Sequence, residues 1–181
     1  MYNILKFIEN INRYLKIKTK ILYWKLKYGK RIKIGNNFKF RKRLIINISQ
    51  NGYLEIGNNN AFNNNCSINC HKKIKIGNNN MFGENVKFYD HNHIFNNKNI
   101  DMTTTFKEHE ILIGDNNWIA SDVVFLSKAT LGDNNVVGIK TVINEKYANE
   151  CIIRSKIENI NEKIIYIGEW KWEEEKNLIN I

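Results

Sequence analysis

The sequence of 181 residues contains no proline, where about nine would be ordinary for this length. Its turns must therefore be made by other residues, and no X-Pro bond kinks a helix or sets a turn. Cysteine is scarce. Cys66, Cys70 and Cys151 are odd in number and widely spaced, which gives no disulfide framework and fits a reducing, cytoplasmic setting. No run of about 18 apolar residues occurs, so no transmembrane helix is expected. Lys6, Arg13, Lys16, Lys18 and Lys20 interrupt every apolar stretch near the start, which is not the layout of a signal peptide. Acids are almost missing from residues 1–43, which hold one of the chain's 18 (Glu9) against 14 of its 28 Lys and Arg. The formal net charge of +10 thus belongs to an N-terminal arm on a near-neutral body. A nucleic-acid binder spreads its positive charge over the working face, so nucleic acid is not an expected partner. The length suits one domain with a sizeable core.

Asparagine and isoleucine are abundant, 32 and 30 residues. An AT-rich coding sequence gives the same bias, so composition alone says little about function. Order says more. Ile34-Gly35-Asn36-Asn37 returns as Ile56-Gly57-Asn58-Asn59, Ile76-Gly77-Asn78-Asn79, Ile113-Gly114-Asp115-Asn116 and Leu131-Gly132-Asp133-Asn134. Within this pattern runs a six-residue beat of apolar residues: Ile76, Phe82, Phe88, then Ile113, Ile119, Phe125, Leu131, Val137 and Ile143. That period is neither the 3.6 of a helix nor the plain 2 of a strand. Six residues make one short strand and one corner, and three such units close a triangular coil. The repeated aliphatic residue points inward and stacks on its copy in the next coil, while Gly and Asn at the corners accept positive φ. An antiparallel sandwich does not keep so strict a register. The long step between Gly77 and Gly114 places a loop insertion at 94–112, directly after Asp90-His91-Asn92-His93, and a long loop in a compact solenoid is commonly functional.

Two stretches carry a resemblance: Gly83-Glu84-Asn85-Val86-Lys87-Phe88-Tyr89-Asp90-His91-Asn92-His93, and Ile113-Gly114-Asp115-Asn116-Asn117-Trp118-Ile119-Ala120-Ser121. With the repeats over about residues 32–146, they resemble the hexapeptide-repeat acyltransferases. The branch they look most like is that of maltose, galactoside and nodulation-sugar O-acetyltransferases and their capsule and O-antigen relatives. The resemblance implies an all-β solenoid, a left-handed parallel β-helix, a handedness outside the usual crossover rule. It implies acetyl-CoA as co-substrate, no metal, a homotrimer, and a cell-surface polysaccharide sugar or its precursor as acceptor. It places His93 on the catalytic base and Asn65 on an acceptor-binding asparagine. Trp118 and Ser121 fall on positions beside the acyl-CoA. The resemblance also puts Ile139 and Lys140 at the CoA end, in a Gly138-Ile139-Lys140-Thr141 turn that departs from the usual Gly-Ala-Gly-Ser, and with them Lys146, next to Glu145, which stands in register with the lysine usual near the CoA phosphate. Cys70 or His71 stands where galactoside-type members carry an acceptor-binding aspartate, so a different acceptor is expected.

The chemistry agrees with these assignments. A histidine titrates near working pH and suits removal of a hydroxyl proton. Its second ring nitrogen needs an orienting acceptor, a backbone carbonyl or a carboxylate such as Asp90 or Glu84. His91 is two residues from His93, which in a strand puts both on one face. His91 is read as an acceptor contact or as simply exposed, Asp90 is also placed beside the acceptor, and His71 and His109 are expected to be exposed or to face a neighbouring subunit's site. Cys66-Ser67-Ile68-Asn69-Cys70-His71 is too loose for a zinc clip, and Cys66 is expected as a stacked interior residue.

The flanks complete the domain reading: 1–33 a basic amphipathic arm, 34–146 the β-helix, 147–181 a C-terminal cap with a short helix. Ile4, Phe7, Ile8, Ile11, Tyr14 and Leu15 recur at helical spacing, and Ile21, Leu22, Trp24, Leu26 and Tyr28 follow as an irregular or strand-like basic segment. The arm is read both as a cover for the open end of the solenoid and as a peripheral contact with an anionic membrane, at its inner face. Three other functions share the fold. They are N-acetylation of a nucleotide-linked amino sugar, a metal-dependent hydratase using His71, His91 and His93, and an inactive binding scaffold. The 33-residue arm is too small for the nucleotide-binding domain of the first.

Overall fold

The computed structural model describes residues 2–94, 101 and 103–156. Helix α1 (Tyr2–Tyr28) and one 3-10 turn (Gly29–Arg31) lead into the solenoid. The first coil is β1 (Ile32–Ile34), β2 (Lys39–Phe40) and β3 (Ile45–Ile48), and the second is β4 (Tyr53–Ile56), β5 (Ala61–Phe62) and β6 (Ser67–Cys70). The third coil is β7 (Lys73–Ile76), β8 (Met81–Phe82) and β9 (Lys87–Tyr89), and the hairpin β10 (His91–His93) and β11 (Phe106–Glu108) leaves from its end. The fourth is β12 (Ile111–Ile113), β13 (Trp118–Ile119) and β14 (Val124–Phe125). The fifth is β15 (Thr130–Leu131), β16 (Val136–Val137) and β17 (Val142–Ile143), and β18 (Lys146–Tyr147) and β19 (Ile152–Ile153) begin a sixth.

Like strands of successive coils pair in parallel, giving three faces of six, six and five strands. The first face is β1-β4-β7-β12-β15-β18, the second β2-β5-β8-β13-β16-β19 and the third β3-β6-β9-β14-β17. The six-residue beat is the inner lining: Ile76, Phe82, Phe88, Ile113, Ile119, Phe125, Leu131, Val137 and Ile143 are all buried, and so is Cys66. The rings stack along the axis, Phe62 on Phe82 at 4.3 Å and Phe88 on Phe125 at 4.9 Å between centroids. Each buried phenylalanine contributes on the order of 1.5–3 kcal/mol.

The corners explain the asparagines. Their side chains form ladders that run from coil to coil. Asn58 Oδ1 accepts from the backbone N–H of Asn36 at 2.8 Å, and Asn78 Oδ1 from that of Asn58 at 2.8 Å. Asp115, Asp133 and Asn149 continue the series. A second ladder joins side chains alone, from Asn37 through Asn59 and Asn79 to Asn116. A third, through Asn60, Asn80, Asn117 and Asn135, is buried. Buried backbone donors at each turn are thereby satisfied, so the composition is structural.

The expected role of the corner glycines is corrected. Positive φ falls on the third corner residue, Asn37, Asn59, Asn79, Asn116 and Asn134, each between 54° and 58°. The glycine is there for room: a Cβ on Gly57 would lie 2.5 Å from the Gly77 carbonyl oxygen, so coils stack this closely only without a side chain at that position.

Two boundaries move. The segment expected to be irregular after residue 15 is helix through Tyr28, because Ile17, Ile21, Trp24 and Tyr28 form one stripe at i, i+4, i+7, i+11. That stripe covers the end of the solenoid. Trp24 and Tyr28 are buried with Ile17 and Ile21 packed beside them, Trp24 meets Phe40 at 5.7 Å, and the Tyr28 hydroxyl donates to the Ile46 carbonyl at 2.7 Å. At the other end the solenoid runs past residue 146, since β18 and β19 extend the first and second faces. The expected C-terminal helix falls in 157–181, outside the described residues.

Candidate active site

The loop insertion leaves at the corner between the third and first faces. Its walls are β10 and β11, an antiparallel pair in which His91 faces Glu108 and His93 faces Phe106. Alternation puts His91, His93, Phe106 and Glu108 on one side of the hairpin. Phe106 joins the rings: its centroid lies 4.7 Å from His93, 5.3 Å from His91 and 4.4 Å from His71. His71 and His91 stack on each other at 3.7 Å with planes 23° apart. Sequence reading missed Phe106 and Glu108. The alternation Phe106-Lys107-Glu108 is a strand signal, but its partner across a long loop is not readable from spacing.

Asp90 holds this corner. It is fully buried, and its carboxylate accepts the backbone N–H groups of His71 and Lys72 at 2.8 Å and of Lys73 at 3.0 Å. The same carboxylate meets His91 Nδ1 at 3.1 Å. Placed there, Asp90 faces its own backbone and not an acceptor. It orients His91 and not His93, while the other expected orienter, Glu84, accepts from the Asn64 side-chain amide at 2.7 Å. His91 is nearly buried, whereas His93 is exposed at the strand end. His71 was expected on the surface but is half-buried, its Nδ1 3.4 Å from Glu108. Burial, then the neighbouring His91, holds the His71 pKa below the usual histidine value, with Asp90 and Glu108 pulling the other way. His109 is also half-buried, with Nε2 fully covered and unpartnered, and burial followed by Lys128 lowers its pKa.

Beside the stacked histidines lies a cavity of about 350 Å³, whose lining includes Lys27 and Tyr28 from α1 and Asn47, Asn69, Tyr89 and His91. Asn47, Asn69 and Tyr89 are register partners on the outside of the third face. These polar residues were not singled out in the sequence, because nothing local shows that the end of α1 closes the cavity's wall.

The remaining candidates lie elsewhere. Trp118 stands on the outside of the second face, 53 % exposed. Asn65, Ser121, Ile139 and Lys140 lie at the corner between the second and third faces, where Asn65 and Lys140 take φ of 59° and 57°. Ser121 Oγ accepts the Glu84 backbone N–H at 3.1 Å. Lys146 is exposed at the start of β18. In a triangular section the second face lies opposite the corner that carries the hairpin. One chain therefore separates His93 and His91 from Trp118. Among the described residues, no three His, Cys, Asp or Glu side chains are placed to hold a metal ion.

No family model matches the chain, and no curated protein does. Solved structures do. One is a hexapeptide-repeat-containing acetyltransferase of Vibrio cholerae O1 biovar eltor complexed with acetyl coenzyme A. Its TM-score is 0.59 at 18 % identity, over 67 % of this chain and 65 % of that one. The structure of the Vibrio cholerae protein described without acetyl coenzyme A gives 0.57 at 20 %, over 65 % and 68 %. A maltose O-acetyltransferase of Clostridium difficile 630 gives 0.55 at 26 %, over 64 % and 61 %. The chain thus spans about two thirds of the length of these proteins. What it shares with them is the left-handed parallel β-helix, a fold whose neighbours here are hexapeptide-repeat acetyltransferases.

Proposed function

We propose that this protein is an acetyl-CoA-dependent O-acetyltransferase acting on a hydroxyl of a cell-surface polysaccharide sugar or its precursor. The observation that carries the reading is an exposed histidine, His93, at the loop end of β10 and beside Phe106, on a fold that in a solved neighbour is complexed with acetyl coenzyme A. The donor is a cytosolic metabolite, so the reaction belongs in the cytoplasm. One ring nitrogen of His93 takes the proton of the acceptor hydroxyl as its oxygen attacks the thioester carbonyl. The C–S bond then breaks, and the proton leaves with the CoA sulfur as free thiol. Holding both substrates together suffices for direct transfer, with no acyl-enzyme.

Trp118, Ser121, Ile139, Lys140 and Lys146 are assigned to the acyl-CoA, and Asn65 and His91 to the acceptor. Because one chain holds His93 and Trp118 on opposite sides, the reading needs neighbouring copies, in a homotrimer. A column of outward apolar residues on the second face supports this. Ala61, Met81, Trp118, Val136 and Ile152 are successive register partners, and Met81, Trp118 and Ile152 are 53 %, 53 % and 79 % exposed. Contiguous exposed apolar surface marks an interaction site.

The Asp90–His91 contact favours a second reading, in which His91 is the base: a buried carboxylate fixes its ring as in other base–orienter pairs. The experiment for the activity is a screen of acceptor sugars and glycans with acetyl-CoA, reading free thiol release, beside the mass in solution by sedimentation. Acceptor-dependent thiol release by a trimer is expected. No release with any acceptor, or full activity as a monomer, would contradict the proposal.

A further inference from the structure

One face of α1 does not cap the solenoid and has no partner among the described residues. Ile4, Ile8, Ile11, Leu15, Leu22 and Leu26 recur at steps of three, four and seven and so share one face of the helix. All six are between 41 % and 77 % exposed. The capping stripe, Ile17 to Tyr28, is a different side of the same helix, so the capping role leaves this apolar face open. The charge on α1 is one-sided: Glu9 is its only acid, against Lys or Arg at seven positions between Lys6 and Lys27. No helix among the described residues is long and apolar enough to cross a membrane.

We infer that α1 docks this protein on an anionic phospholipid surface, lying in the plane of the interface with the stripe from Ile4 to Leu26 among the acyl chains. Apolar residues on one side with Lys and Arg on the other is the pattern of an interfacial helix. Lys18 and Lys25, close to the edge of the stripe, have stems long enough to keep their ammonium groups among the headgroups. Charge favours an anionic surface over a second copy of the chain as the occupant: Lys18 and Lys25 edge the stripe, so two stripes packed together would crowd these cations along one seam, whereas anionic headgroups attract each of them. The inference is independent of the acetyl-transfer reading, since none of these side chains belongs to the candidate site.

The test is flotation of the full-length protein with vesicles of equimolar phosphatidylcholine and phosphatidylglycerol, and with phosphatidylcholine alone, at low and high salt. The wild type is expected to float with the anionic vesicles at low salt and stay behind with the neutral ones. The variant Ile8→Gln/Ile11→Gln/Leu15→Gln removes no core contact and keeps good helix formers. It is expected to lower partitioning by about 100-fold with an unchanged unfolding temperature and unchanged mass by light scattering. Equal flotation of the triple variant, equal flotation on neutral vesicles, or no flotation of the wild type would each overturn the inference. A triple variant that loses mass in solution, from a wild type that never floats, would assign the stripe to a contact between copies instead.

Discussion

Replacing Asp90 with asparagine changes one atom of a buried side chain and tests the account of the corner from which the hairpin leaves. The carboxylate serves four groups: three backbone N–H donors and His91 Nδ1. One oxygen takes Lys72 and Lys73, and the other takes His71 and His91. An asparagine oriented to keep the first pair turns its own N–H₂ toward the His71 N–H, donor against donor. One buried backbone donor is then unsatisfied, at about 1–3 kcal/mol, and the bonds that remain lose their charge assistance. The sum is about 2–4 kcal/mol. At about 2–4 °C per kcal/mol for a chain of this size, Tm falls by on the order of 10 °C. The assay is thermal unfolding followed by circular dichroism, with His91→Ala as comparison. That variant removes one of the four contacts and is expected to cost less than about 1.5 kcal/mol. If Asp90→Asn melts within about 2 °C of the wild type, a shift worth roughly 1 kcal/mol or less, the carboxylate is not the clamp described here.

The thiols give a second prediction. Burial pushes the Cys66 thiol up to about 11 and the Cys70 thiol up to about 12, so a thiolate-specific reagent on the native protein should titrate one thiol, that of Cys151, and three after denaturation. Rapid native labelling of a second thiol would contradict the closed interior. pH gives a third. His71 and His109 bind protons less readily folded than unfolded, because burial holds both below the usual histidine pKa. The unfolded chain therefore takes up more protons as pH falls below about 6.5, and stability is full above that value and declines below it. A Tm series from pH 8 to pH 5, at constant ionic strength, should fall on the acid side, and a rise there would show that the sign is wrong.

Much of the fold was legible because the six-residue beat is a packing requirement that each coil repeats. Every residue of that series, from Ile76 to Ile143, is buried. What the beat hides is anything that depends on the neighbouring coil. The corner glycines suggested unusual φ, yet their reason is the carbonyl of the next coil, which no single repeat contains. The sixth coil escaped because its corner lies 16 residues after the previous one, where Asn149 accepts from Asp133, and because Ala148 replaces the glycine. Helix α1 was cut short because the lysines among Ile17, Ile21, Trp24 and Tyr28 mask a stripe that only the solenoid end selects. At the site, spacing placed His91 and His93 together. It did not show that Asp90 points inward to the backbone, or that a chain returning after the loop brings Phe106 and Glu108 to the histidines.

The central claim is that His93 removes the proton of the acceptor hydroxyl. The direct measurement is acceptor-dependent thiol release from acetyl-CoA by His93→Ala and His91→Ala, each with a circular dichroism check of folding. The account predicts that folded His93→Ala loses kcat by at least about 100-fold, the usual weight of a general base, while His91→Ala keeps measurable kcat with a raised KM for the acceptor. A folded His93→Ala that retains most of its turnover while His91→Ala loses it would move the base to the Asp90–His91 pair and contradict the assignment.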